Sequence, residues 1–304
     1  MNGSETIEMI RGNGVDLALH RFGHAPGPQD EARTILLLHG FLDAAATWDL
    51  VAAPLVKAGF EVLALDFRGF GHSERVPEGG YYYFPDYVAD LDAVVETLDR
   101  PFLSLVSHSM GGGVAALYAA CRPERVKRLV IMEGLGPVHD PPELSVNRMR
   151  KWLGDLGRID RRGRRLASID EAVERLAASH PRIDREILAS RAERLVRRDD
   201  DGSIAWAWDP LHRSVSPIPF SAAVFGSFLD AISCPTLFIG GGPLGWHPPD
   251  EEERLARIKD LTRVDFEGAG HMMHWTRPGP VAAALTAFIS GEPPASANTT
   301  VAEA

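Results

Sequence analysis

Apolar residues in the first half of the chain fall into short unbroken runs, separated by longer stretches with helical spacing. The runs are residues 34–38 (TILLL), 61–65 (EVLAL), 102–106 (FLSLV) and 129–132 (LVIM). Each is too short for a helix and lacks the alternation of a half-exposed strand, so each predicts a strand buried on both faces. Between them, residues 48–57, 84–98 and 110–120 carry apolar positions three and four apart, which predicts amphipathic helices. Buried strands alternating with helices predict parallel β-α units joined by right-handed crossovers. Residues 6–22 precede this pattern and predict an antiparallel hairpin turning near Asn13-Gly14.

The pattern breaks after residue 136. Residues 137–229 predict helices, hold many arginines and show no buried strand. Residues 168–178 open with Ser168 and Glu171 in capping-box spacing, residues 183–196 predict a second amphipathic helix, and residues 202–209, with Trp206 and Trp208, a loop or short hairpin. Alternation then resumes at residues 235–240, 255–258, 263–266 and 281–289. The expected organisation is an α/β core from residues 1–136 and 230–290, a helical cap inserted as residues 137–229, and a disordered tail at 291–304, rich in Pro, Ser, Ala and Thr.

Charge and composition narrow the partners. The 304 residues carry 32 Lys and Arg against 42 Asp and Glu, a net charge of −10 that argues against nucleic acid or an anionic membrane. One basic run, residues 158–165 with Arg161, Arg162 and Arg164, reads as a solvated helical face. Cys121 and Cys234 make neither a disulfide framework nor a metal-ligand spacing, which fits a reducing compartment. The first residues lack an apolar core of signal-peptide type, and no apolar stretch approaches the roughly 20 residues needed to cross a bilayer. A soluble, cytoplasmic protein is expected.

The candidate chemistry lies at the ends of the predicted strands. Ser107-His108-Ser109-Met110-Gly111 follows one strand and opens a helix. Small-x-Ser-x-Gly in that context makes a sharp turn that holds the Ser109 hydroxyl clear of the sheet, at a helix N-terminus that favours negative charge. A serine hydroxyl needs a base, and His271 in Gly268-Ala269-Gly270-His271 follows the last predicted strand, at the same carboxyl edge. His274 competes for the role and otherwise reads as a structural histidine. A zinc pair from His271 and His274 lacks a third ligand nearby, so no metal is expected. His39-Gly40-Phe41 follows another strand, and its loop offers the Phe41 amide beside that of Met110 as oxyanion donors. The loop Gly240–Gly245 (GGGPLG) holds no acid to orient His271. Glu133, at the end of the preceding strand, is the favoured orienting carboxylate, with Asp250, Glu251 and Asp140 as alternatives. Asp66 to Ser73 (DFRGFGHS) reads as architectural, and Asp43 as a brace for the Phe41 loop.

Taken together, His39-Gly40-Phe41-Leu42-Asp43 with Trp48-Asp49, Asp66 to Ser73, Ser107 to Gly113, Met132 to Pro137 (MEGLGP) and Gly268 to His274 resemble the α/β-hydrolase superfamily. The resemblance extends to the serine hydrolase-like proteins, including Ser168 to Ala178 and Trp206 to Pro210 (WAWDP), and covers about residues 36–289. It implies the α/β-hydrolase fold: an eight-stranded, mostly parallel sheet with helices on both faces, an inserted helical cap, no cofactor, and water as co-substrate of a small molecule. It also supports Glu133, since some haloalkane dehalogenases, which look similar in fold, place a glutamate at this strand end. Those enzymes use an aspartate nucleophile, so Ser109 argues against their chemistry. The expectation is a carboxylic-ester hydrolase with Ser109, His271 and Glu133 as triad. Alternatives are a carbon–carbon bond hydrolase or thioesterase with the same residues, and a non-catalytic ligand-binding module.

Overall fold

A computed structural model of the chain describes residues 5–23 and 33–294. Eleven strands and ten α-helices run along the described residues. The strands are β1 (Glu5–Arg11), β2 (Asp16–Phe22), β3 (Thr34–Leu38), β4 (Glu61–Leu65), β5 (Leu103–His108), β6 (Val126–Met132), β7 (Arg165–Leu166), β8 (Val196–Arg198), β9 (Ile204–Trp206), β10 (Thr236–Gly240) and β11 (Leu261–Asp265). The helices are α1 (Asp49–Lys57), α2 (Phe84–Thr97), α3 (Met110–Cys121), α4 (Ser145–Leu156), α5 (Ile169–Ser179), α6 (Arg185–Leu195), α7 (Ala222–Ala231), α8 (Glu251–Leu255), α9 (Met273–Thr276) and α10 (Pro278–Ser290).

Eight strands form one sheet in the order β1-β2-β4-β3-β5-β6-β10-β11. The hairpin β1-β2 adds antiparallel to β4, and the six strands from β4 to β11 are parallel. Unbroken apolar runs suit this position because both faces of the sheet are covered. Leu36, Leu38, Leu63 and Leu65 pack on one face with Leu91 and Val94 of α2, Val114 of α3 and Leu229 of α7. Ile35, Leu37, Val62 and Ala64 pack on the other with Val51 and Leu55 of α1 and Val281 and Leu285 of α10. Each fully buried aliphatic side chain contributes about 1.5–3 kcal/mol relative to exposure, so these two layers fix the sheet register firmly.

Two expectations meet a different outcome. Residues 137–221 are not helical throughout: β7, β9 and β8 form a three-stranded antiparallel sheet beside α4, α5 and α6. These strands have two or three residues each, too few to show a period-2 pattern in sequence. The α7 helix, grouped with the insertion by sequence, packs on α3 of the core, with Phe225 and Leu229 in the same apolar cluster as the sheet. The expected disordered tail lies outside the described residues from 295 onward.

The insertion has its own small core of Leu166, Val173, Leu176, Leu188, Leu195 and Ile204, which continues onto Ala44, Met272 and Trp275 of the core. It is also clamped by Arg191, fully buried, whose guanidinium donates to the Thr47 carbonyl (3.0 Å) and the Asp49 carboxylate (2.6 Å). Among the described residues no helix is long and apolar enough to cross a membrane.

Candidate active site

Ser109 occupies a strained turn between β5 and α3. Its φ of 52° and ψ of −116° are unusual for a residue with a side chain. The strain is held by packing and backbone hydrogen bonds. The Ser109 amide donates to the Met132 carbonyl (2.9 Å), and the Gly112 amide donates to the Ser109 carbonyl (2.9 Å). A Cβ at Gly111 would stand 2.6 Å from the Leu38 carbonyl oxygen, and one at Gly112 2.5 Å from the Gly134 Cα. Glycine is therefore required here for close approach of the α3 start to the neighbouring strand ends. Ser107, where glycine is common, fits because its hydroxyl folds back to the Val130 carbonyl (2.6 Å).

The sheet brings His271 and Glu133 to this turn. Nε2 of His271 lies 3.1 Å from Ser109 Oγ, and Nδ1 lies 2.7 Å from Glu133 Oε2. The Glu133 side chain is fully buried, while His271 keeps about a third of its side chain exposed. A buried carboxylate needs donors. Glu133 Oε1 accepts from the Gly241 amide (2.5 Å) and Oε2 from the Trp246 amide (2.7 Å). The acid-free glycine loop after β10 thus acts as a cradle for a carboxylate from β6. A Cβ at Gly245 would stand 1.8 Å from Glu133 Oε1, and one at Gly241 2.3 Å from the Gly270 carbonyl oxygen. The run's glycines signal this cradle in sequence, but only when read as space for a neighbouring side chain. Glu133 itself sits at φ 49°, just past the strand, with its amide tied to the Ile239 carbonyl (3.1 Å).

The alternative acids are engaged elsewhere. Asp250 pairs with Arg254 (2.8 Å), Glu251 with His247 (2.9 Å), and Asp140 with Arg148 (3.0 Å) and the Phe220 amide (3.0 Å).

Phe41 and Met110 flank the serine. Phe41 is half-exposed, and its ring stands edge-on to those of Phe70 and His212. Among the described residues no acceptor takes the amide of Phe41 or of Met110. Gly40 lets this loop approach: a Cβ there would meet His108 Nδ1 at 2.7 Å and Ser109 Cβ at 3.2 Å.

Behind the site lies a second imidazole–carboxylate pair. His274 Nε2 donates to Asp43 Oδ2 (3.0 Å), and Asp43 Oδ1 accepts from the Ala44 amide (2.9 Å) and the Thr47 hydroxyl (2.7 Å). Burial pushes the His274 imidazole down, against the hydrogen bond and charge of Asp43. Burial works to raise the Asp43 carboxyl, but the hydrogen bond and charge of His274 hold it below the usual range. Burial also drives His108 well below the ordinary histidine value, with His274 and His271 adding to the effect. Neutral His108 donates from Nε2 to the His271 carbonyl (2.9 Å), which fixes the backbone of His271. Asp43, His108 and His274 are close enough to hold a metal ion, with one candidate atom from each within 4.8 Å of the others. The Asp43 oxygens are already occupied by three protein donors, as befits a brace. Sequence reasoning anticipated the brace at Asp43 and a structural His274, but missed that they meet each other.

The Asp66 to Ser73 loop is also architectural. Asp66 accepts from the Ala45 amide (2.7 Å), His20 Nε2 (2.9 Å) and the His72 amide (2.9 Å), and Arg68 forks onto Asp90 (2.6 Å to each oxygen).

Comparison with known proteins agrees with this architecture. A 34% identical relative, a serine hydrolase-like protein of Danio rerio, matches over 60% of this chain and 56% of its own length. The chain thus spans little more than half of that relative. A serine hydrolase-like protein of Dictyostelium discoideum is 29% identical over 89% of this chain and 77% of its own. Among solved structures, the thioesterase domain from the curacin biosynthetic pathway is 26% identical with a TM-score of 0.78, over 95% of this chain and all of that one. The family model described as alpha/beta hydrolase fold matches residues 33–278, and the chain belongs to that family.

Proposed function

We propose that the protein is a serine hydrolase that cleaves carboxylic esters of a small molecule, with water as co-substrate. The observation that carries the reading is the continuous relay from Ser109 Oγ to His271 Nε2 (3.1 Å) and from His271 Nδ1 to Glu133 Oε2 (2.7 Å). Ser109 attacks the ester carbonyl as His271 takes its proton, and Glu133 holds the ring in the required tautomer and stabilises the imidazolium. The Phe41 and Met110 amides receive the oxyanion. His271 returns the proton to the leaving alcohol, and an acyl group remains on Ser109. Water, deprotonated by His271, then releases the acid. The packing of the insertion on Ala44, Met272 and Trp275 supports reading it as a cap that shapes selectivity.

The test is labelling by a fluorophosphonate together with turnover of p-nitrophenyl esters. Both are expected in the native protein and absent from Ser109→Ala. A native protein that takes no label overturns the enzyme reading in favour of a ligand-binding module. The likeness to a thioesterase domain favours one second reading, hydrolysis of a thioester by the same residues. Matched acyl esters and thioesters, compared by kcat/KM, separate the two.

A further inference from the structure

The arginine-rich segment that reads in sequence as a solvated helical face is exposed but not helical, and its side chains line an open cleft. Two adjoining cavities of about 890 and 500 Å³ lie between the loop after β4 and the insertion's small sheet, sharing Arg75, Asp160, Arg162 and Gly163. Ligand sites generally span about 300–1,000 Å³, so either can hold a small molecule. Eight arginines line the two cavities against four acids, in a chain whose net charge is −10. None of Ser109, His271 and Glu133 lines them.

Six of the eight arginines have carboxylate partners: Arg161 with Asp209, Arg162 with Asp160, Arg165 with Asp201, Arg197 with Asp199, and Arg164 and Arg175 with Glu171. Arg75 and Arg213 differ. Among the described residues neither has a carboxylate within ion-pair distance, and both line the smaller cavity. Arg75 is half-buried and donates only to the carbonyls of Arg161 (3.1 Å) and Trp208 (3.4 Å). Burial lowers the Arg75 guanidinium and the charge of Arg197 adds to this, against the pull of Asp209, as for a cation short of counter-charge. The same cavity is faced by Trp206 and Trp208, whose rings are near parallel (15°) with centroids 6.3 Å apart.

We propose that the cavity lined by Arg75, Arg213, Trp206 and Trp208 is a binding site for a phosphorylated ligand, separate from the serine site. Guanidinium groups suit phosphate because their N–H donors fork onto two oxygens and keep their charge at any working pH. Two such groups without an ion-pair partner, in a cleft lined by five arginines against Asp155 and Asp160, leave a net positive field that a dianion neutralises. The indoles offer a flat apolar surface for whatever carries the phosphate. This inference does not rest on the hydrolase reading, and Ser109→Ala is expected to bind as the native protein does.

The experiment is calorimetric titration at low salt with two probes, inorganic diphosphate and adenosine 3′,5′-bisphosphate. Both are expected to bind, with affinity falling as salt rises. Arg213→Gln, at an exposed residue whose side chain has no hydrogen bond or ion pair among the described residues, is expected to weaken both probes about tenfold, as one charge-assisted contact is worth. Arg75→Gln should weaken them at least as much, with Arg75→Lys partly restoring binding. Arg122→Gln, which removes an exposed arginine paired with Asp92, serves as control and should leave binding unchanged. Equal affinity for the two probes assigns recognition to phosphate alone. Tighter bisphosphate binding that Trp206→Ala abolishes assigns it to a nucleotide. The proposal falls if neither probe binds at millimolar concentration, or if Arg122→Gln weakens binding as much as Arg213→Gln.

Discussion

The carboxyl edge of the sheet and the insertion are built by opposite means. At the edge, atoms are placed by backbone: Ser109, Glu133 and Gly241 each directly follow a strand, the first two with amides bonded to the neighbouring strand and Gly241 with its carbonyl bonded to the Gly270 amide of the His271 loop. Glycines bring the segments into contact, and buried carboxylates are saturated by N–H donors. In the insertion, α4 buries no residue, the strands are two or three residues long, and arginine–carboxylate pairs cover much of the surface. Exposed ion pairs of that kind contribute about 0–1 kcal/mol each. The edge is therefore a rigid frame in which a displacement of one ångström matters, while the outer parts of the insertion, α4 above all, can shift with little loss of stability even though its inner core stays packed on the sheet.

Four substitutions probe the edge first. Ser109→Ala removes the nucleophile and should lower ester turnover about 10⁴-fold or more, with the thermal midpoint essentially unchanged. Glu133→Gln keeps the shape of the acid but removes its charge and one of its two acceptor oxygens, setting an NH₂ against an N–H donor. A fall of about 10³–10⁴ in kcat is expected, with KM little altered. An unaffected rate would assign the orienting role to another group. Gly245→Ala drives a methyl into Glu133 and should cost about 10²-fold in kcat through misplacement of the carboxylate. Gly279→Ala, where a Cβ meets nothing within 4 Å, is its silent counterpart.

The next effect is one of stability and pH. Burial works against a charged His20, but its hydrogen bonds to Asp66 and Glu5 outweigh this and raise its pKa to about 9. A histidine raised above its unfolded value stabilises fully below about pH 6.5, and that contribution is lost as pH climbs through about 9. Denaturant titrations should show stability falling across that window by an amount on the order of 3 kcal/mol, and the His20→Gln variant should lack the slope. Smallest of all, Met149→Ala on the exposed α4 should change stability by no more than about 0.5 kcal/mol. A larger loss would mean that this helix is covered by something in solution.

Much of the edge was legible because its chemistry depends on local sequence. The strand runs, the small residues around Ser109 and the glycines before His271 each encode one backbone event. Glu133 was legible as the end of a strand. The donors that saturate its carboxylate were not, because the Gly241 and Trp246 amides lie more than a hundred residues away and carry no side-chain signature. The pairing of Asp43 with His274 was hidden for the same reason. Of the insertion's sheet only a loop or short hairpin at residues 202–209 was legible, because strands this short have no period, and α7 was grouped with the insertion because its apolar face does not say which surface it covers.

By itself, then, the sequence determined the alternation of strands and helices, the order of the segments and the residue types delivered to one edge. These follow from the spacing of apolar side chains and the conformational freedom of glycine, which are properties of neighbours along the chain. Tertiary structure alone decided which carboxylate faces His271, what holds Asp43, and that the arginines of residues 161–165 wall a cleft. Those outcomes depend on distances between segments far apart in the chain, and only the packed sheet fixes them.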